Sequence, residues 1–270
     1  MDFADLALAR RLEAAEGAAC LDTSRSVARL HPEIATAAEE IAGGWAVFTG
    51  AGSPISEARG LGMNGPVSDG DMDRLASFYH SRNDAVRLEV CPLADASLHQ
   101  QLARRGYRLL EFSNMLARPL SQTDPERDTP PNGSRITTRP LAAGEGPKWA
   151  HLVAHCFSEY VPVTQELLDI MSCWTQSAIG ICFFALLDGE LAGGAALVMH
   201  EKVALLGGAG TDVRLRGRGV QRALIESRLA FAAKAGCDVA MTVTLPGSGS
   251  QRNVERHGFH VVYSRTKFTL

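Results

Sequence analysis

An apolar run, Val203–Thr211, leads into a turn of arginines and glycines, Arg214-Leu-Arg-Gly217-Arg-Gly219, and then into an amphipathic segment. Few folds admit that succession. The run reads as a strand, and its glycines at 207, 208 and 210 let another group approach the backbone. Beyond the turn, Val220, Leu224, Ile225 and Phe231 recur at helical spacing through Lys234. Gly236 then stops the helix, and Val239–Thr244 reads as a second strand. A glycine turn that opens a helix leaves backbone N–H groups without intrahelical partners, and the helix dipole stands behind them. That is an anion site suited to a pyrophosphate. Arg214, Arg216, Arg218 and Arg222 surround it in a chain of net charge −3, so the positive charge is local.

The flanking segments continue the pattern. Upstream, Ile181–Leu187, the Asp188-Gly189 turn and Leu191–Val198 predict a hairpin. Downstream, Pro246-Gly-Ser-Gly249 breaks the chain, and Ser250 is placed to cap a short helix over Gln251–His257. Gly258-Phe259 follows, then two strands, His260–Tyr263 and Thr266–Leu270. Two glycine motifs fail at the turn. There is no Gly-x4-Gly-Lys-Ser/Thr run for a P-loop, and the third glycine of Gly-x-Gly-x-x-Gly is replaced by Arg222.

Arg/Gln-x-x-Gly-x-Gly/Ala between a strand and a long helix does fit, as Arg214-x-x-Gly217-x-Gly219. Shifted by two, Arg216-x-x-Gly219-x-Gln221 nearly fits, so the register stays open. This loop resembles the coenzyme A pyrophosphate loop of the GCN5-related N-acetyltransferases, the GNAT family. The order strand, two helices, three strands, helix, strand, helix, two strands over residues 135–270 is that family's order. The resemblance implies acetyl-CoA as co-substrate, held by Thr211, Val213, Arg214, Arg216, Gly217, Arg218, Gly219, Val220, Gln221 and Arg222. It also implies acetyl transfer to an amine, with a carboxylate or histidine, often through water, taking the amine's proton. Glu201, at the start of the strand before the loop, is the candidate base, and Glu159 would also face the cleft. The family's usual tyrosine acid, four residues before Gly-Phe, is Val254 here, and valine donates no proton. Tyr160 and Tyr263 are the possible substitutes. That gap keeps a rival reading in play, a non-catalytic acyl-CoA-binding or protein-interaction module.

A polar segment with three prolines, Ser121–Ser134, divides the 270 residues nearly in half. The halves echo each other. Gly106-Tyr107 lies over Gly258-Phe259, Ala85–Val90 over Asp238–Val243, and Asp71–Tyr79 over the helix after the phosphate turn. In the first half, however, Arg59-Gly-Leu-Gly-Met-Asn-Gly-Pro66 replaces the arginine-glycine turn, and Pro66 removes a backbone donor. The expected architecture is therefore an α/β protein, a mixed α+β sheet, of two tandem acyl-CoA N-acyltransferase-like domains. Residues 1–120 form a degenerate copy that does not bind coenzyme A in the usual way, 121–134 a linker, and 135–270 the acetyl-CoA-binding domain.

Composition narrows the partners. A hydrophobic fraction of 46% is that of a globular chain, and no run of eighteen apolar residues spans a membrane. The first residues lack a basic and apolar leader, so a cytoplasmic location is expected. The six cysteines form no Cys-x-x-Cys pair and read as buried reduced thiols. His151 and His155 share a helix face without the glutamate of a His-Glu-x-x-His site, so no metal is expected. Without an aromatic-basic stripe, nucleic acid is excluded. The expected partner is a small-molecule amine, and the chain a monomer or homodimer. Phe157, Tyr160, Val161, Leu167 and Trp174 belong to the core or to a partly apolar substrate pocket, core being preferred.

Overall fold

The computed structural model describes residues 5–121 and 136–270, so all of the expected linker except Ser121 lies outside the described residues. The chain forms two compact units. The first gathers the described residues up to Leu116 with Val243–Ser248 and His260–Leu270; the second takes Ala117–Thr242 with Gly249–Phe259. The half expected at 135–270 thus gives its last strand to the first unit.

In the first unit, helix α1 (Leu6–Leu30) starts at Asp5, whose carboxylate accepts from the Leu8 N–H at 2.7 Å. Strands β1 (Ala37–Ile41) and β2 (Gly44–Phe48) form a hairpin through Ala42 and Gly43, with φ of 49° and 76°. Two positive φ values are what a tight two-residue hairpin requires. Then follow β3 (Ala58–Arg59), α2 (Asp69–His80), β4 (Arg87–Val90), α3 (Ala96–Arg104) and β5 (Arg108–Pro119). β3 and β4 run parallel.

The second unit contains β6 (Ile136–Pro140), α4 (Gly146–Cys156), α5 (Gln165–Thr175), β7 (Gly180–Leu187), β8 (Glu190–His200) and β9 (Val203–Thr211). After a 3-10 turn over Val213–Leu215 come α6 (Val220–Lys234), β10 (Val239–Thr244) and α7 (Gly249–Glu255), which starts one residue before the expected cap Ser250. The strands lie in the order β10-β9-β8-β7-β6, with β9 and β10 parallel and the rest antiparallel. Alternate residues of β7 separate the layers. Phe184 joins the core under α4 and α5, and Phe183 meets Phe231 of α6 edge-to-face.

The repeat read from the sequence has a backbone counterpart. Gly106 and Gly258 end α3 and α7 at φ of 75° and 80°. In each copy the next aromatic N–H reaches back to the helix, Tyr107 to Leu102 O at 3.1 Å and Phe259 to Val254 O at 3.3 Å. The expected final hairpin is absent. One strand, β11 (His260–Thr269), runs through the predicted break, with β4 and β5 as its neighbours. The cause is Arg265, read as part of a break but fully buried, with Glu89 at 2.8 Å, Glu16 at 3.2 Å and Glu13 at 3.6 Å. Lys267 adds Glu57 at 2.9 Å, and Arg59 pairs with Glu16 and Glu57. Charges so buried are tolerated only when paired. Here the pairs pin β11 to α1, β3 and β4.

Candidate functional site

The glycines of β8 and β9 bring α4 and α5 close to the sheet. A Cβ on Gly207 would lie 2.6 Å from the Trp174 ring, one on Gly210 2.4 Å from Cys156 Cβ, and one on Gly194 2.6 Å from Trp149 Nε1. The approach that the glycines were expected to give another molecule is thus used, at these positions, by the protein's own side chains. Trp149 also donates to Phe183 O at 2.9 Å. Phe157, Leu167 and Trp174 pack on this core, whereas Tyr160 is 74% and Val161 45% exposed.

β9 is irregular at its centre. Its pairing with β8 jumps from Ala196–Gly207 to Gly194–Gly210, so Gly208 and Ala209 together oppose Ala195. This β-bulge has Gly208 at φ 50°. The parallel pairing of β9 with β10 covers only Val203–Leu205 against Val239–Met241. Past Leu205, β9 runs on without a registered partner on that side.

Asp212 closes the strand, accepting from the Arg214 N–H at 2.9 Å, while its own N–H donates to Ala192 O. Gly217 and Gly219 have φ of 73° and 94°. Gly219 is the N-cap of α6 and offers no side-chain cap, so the first-turn amides of Val220, Gln221 and Arg222 receive none. The homologous turn of the first unit is closed. Ser68 and Asp71 form a capping box on α2, the Gly62 N–H bonds Ala42 O, and Gly62 O accepts from Asp95.

The arginines are less free than their number suggests. Arg214 is held by Asp212 at 2.8 Å and Glu190 at 3.5 Å, and Arg222 by Glu226 at 2.8 Å. Arg216 pairs with Glu159 and donates to Cys156 O at 3.0 Å, tying the end of α4 to the loop. Arg218 alone of the four has no ion pair among the described residues. Thr211 is buried at the end of β9, its hydroxyl 3.4 Å from Gln221 Oε1, and Val213 is exposed in the 3-10 turn. Burial pushes the Cys156 thiol up to about 12.

Residues 147–259 match the model of the acetyltransferase (GNAT) family. The match lies within the second half of the chain, and it is this segment that is similar to the GNAT family.

Solved structures extend the fold to the whole chain. A GCN5-related N-acetyltransferase from Kribbella flavida matches 97% of this chain and 95% of its own at 16% identity, with a TM-score of 0.66. A tandem GNAT protein from the clavulanic acid biosynthesis pathway covers 87% and 83% at 16% identity and a TM-score of 0.59. A GCN5-related N-acetyltransferase from Sphaerobacter thermophilus covers 69% of this chain, which spans 59% of its length, at 19% identity and a TM-score of 0.53. Comparison with curated proteins gives no match.

The candidate catalytic residues scatter. Glu201 does not start β9; with Lys202 it forms an exposed left-handed hairpin turn, φ 43° and 66°. The turn lies at the end of β9 away from the loop, roughly 25 Å along the strand from Thr211 at 3.3 Å per residue. Tyr263 is buried in the first unit, donating to Glu13 at 2.8 Å, and Val254 is buried on α7. Of the two candidate bases, Glu159 is the one that meets the loop, through Arg216. His151 and His155 are exposed on α4, and no cluster able to hold a metal occurs among the described residues. No helix among them is long and apolar enough to cross a membrane. No disulfide forms among the described residues, and five of the six cysteines are buried. A cavity of about 530 Å³ between α6 and α7, lined in part by Arg118, Arg222, Glu226, Arg256 and His257, has no counterpart in the sequence reading. Its residues come from three separate elements and share no motif.

Proposed function

We propose that the GNAT domain binds acetyl-CoA at Gly217–Arg222 and transfers the acetyl group to the amine of a small molecule. The observation that carries this is the start of α6: a left-handed glycine cap with no side-chain acceptor, beside the end of β9, where the Thr211 hydroxyl lies 3.4 Å from Gln221 Oε1. The family supplies an acyl-CoA donor, and a diphosphate fits amides left without a cap. Arg218 adds a cation that no carboxylate of the described residues neutralises. The pantetheine arm would follow β9 past its bulge. The amine nitrogen attacks the thioester carbonyl carbon; the C–N bond forms, the C–S bond breaks, and the coenzyme leaves as a thiolate. The proton lost by the amine passes to a carboxylate, for which Glu159 is better placed than Glu201, or to water. With valine at 254, solvent protonates the thiolate.

The test is release of free thiol from acetyl-CoA across a panel of small primary amines. Turnover of at least one amine, abolished in the double variant R216E/G219E with binding lost and folding kept, is expected. Acetyl-CoA binding without turnover of any amine would favour the second reading, a non-catalytic acyl-CoA-binding module. The specific observation behind that reading is the buried Val254, with Tyr263 held by Glu13 in the first unit. A domain of this kind that binds a nucleotide but no acetyl-CoA would contradict both.

A further inference from the structure

Arg216 makes three contacts among the described residues, and none of them is with the first turn of α6. Nη1 pairs with Glu159, Nη2 donates to Cys156 O at 3.0 Å, and Nε donates to Thr211 O at 3.4 Å. Thr211 ends β9, Cys156 ends α4, and Glu159 lies in the turn that follows α4. The loop's other paired arginines find their nearest acids close in sequence, Asp212 for Arg214 and Glu226 for Arg222. Glu159 comes 57 residues before Arg216. The pair therefore joins the phosphate loop to the segment between α4 and α5.

Two properties suit this pair to opening. Its side chains are 36% and 46% exposed, and ion pairs that water reaches hold weakly. Its guanidinium is also what an arriving diphosphate would claim, since the planar fork of N–H donors matches phosphate oxygens as well as it matches a carboxylate. A diphosphate on the Val220–Arg222 amides brings negative charge that attracts Arg216 and opposes Glu159. Glu159 is also the carboxylate placed to take the amine's proton. While Arg216 holds it, its charge is neutralised, and a cationic ammonium would meet a guanidinium there.

We infer that Arg216 and Glu159 form a latch, closed on the empty loop and opened when the diphosphate takes the guanidinium. Opening leaves Glu159 as a free carboxylate for an ammonium-bearing acceptor. The latch rests on the acetyl-CoA reading above. Coupling of this kind is reciprocal, so an acceptor that engages Glu159 also favours the coenzyme.

The test is calorimetric binding of coenzyme A to the full-length protein, to Glu159→Gln, to Arg216→Met and to the double variant. Glu159→Gln frees the guanidinium in advance and should bind coenzyme A about two- to fivefold more tightly. Arg216→Met should bind it more weakly, and in that background Glu159→Gln should make no further difference. A gain that persists without Arg216 is repulsion by the Glu159 charge alone and overturns the latch. Equal or weaker binding by Glu159→Gln overturns it too, because the carboxylate would then brace Arg216 rather than withhold it. If Arg216→Met does not fold, Arg216→Gln replaces it in the cycle. No coenzyme A binding by the wild type overturns the acetyl-CoA reading and the latch with it, whereas the other failures leave that reading standing.

Discussion

Gly219 holds φ at 94° and caps α6 without a side chain, so two needs meet at one residue. A Cβ there is strained by roughly 1–2 kcal/mol. Gly219→Ala should lose about that much in urea unfolding and also weaken acetyl-CoA binding. Its neighbour separates charge from fold. Arg218 is exposed and outside the ion pairs of the described residues, so Arg218→Glu should lower acetyl-CoA affinity about tenfold, about 1.4 kcal/mol, with Tm unchanged. Equal affinity in calorimetry would remove Arg218 from the site. Glu145, before α4, has a pH signature. Hydrogen bonds from Arg139, then from the Ala142 N–H, hold its carboxyl down at about 2. A depressed carboxylate stabilises the fold above its unfolded pKa, about 4.3, and that contribution is lost as pH falls toward 2. The Tm difference between the protein and Glu145→Gln should therefore close between about pH 4 and pH 2. A gap that persists at pH 2 would mean that the charge is not its source.

At the scale of elements, strand, glycine turn and helix were legible because each carries a local signal: apolar run, positive-φ glycines, spacing of three and four. The Asp188-Gly189 hairpin was legible for the same reason, both residues having positive φ. What the glycines of β9 face was not. Gly207 and Gly210 meet Trp174 and Cys156, more than thirty residues away in the chain, and no local pattern reports such a contact. Gly210→Ala should cost about 1–3 kcal/mol in urea unfolding, since the added methyl meets Cys156 Cβ in a packed layer. A neutral effect would mean that α4 has room to withdraw. Glu201 was misplaced for a similar reason. Its left-handed turn depends on the pairing of β8 with β9 rather than on turn residues such as Asn-Gly.

For the whole molecule, the tandem repeat was legible in Gly106-Tyr107 and Gly258-Phe259, whereas the assignment of β11 to the first unit was not. Ser264-Arg265 reads as a break in the strand because a lone arginine looks solvated. Its partners Glu13, Glu16 and Glu89 come from far earlier in the chain. Burial works against ionised Glu89, but Arg59, Arg265 and Lys267 outweigh it and bring its pKa to about 2. Arg265→Met leaves three carboxylates without this cation and should destabilise the first unit by about 3–5 kcal/mol. An unchanged urea midpoint would contradict the role given to the network. The same division of labour predicts one ligand site in a chain with two copies of the fold, because the first copy's glycine turn is closed by its own backbone and capping box. Calorimetric titration with acetyl-CoA, using ATP and NAD as controls, tests that most directly. One site per chain at micromolar affinity, about −8 kcal/mol, with no competition from either control, is the expected result. Two sites would contradict the closed first turn, and no binding would contradict the coenzyme site itself.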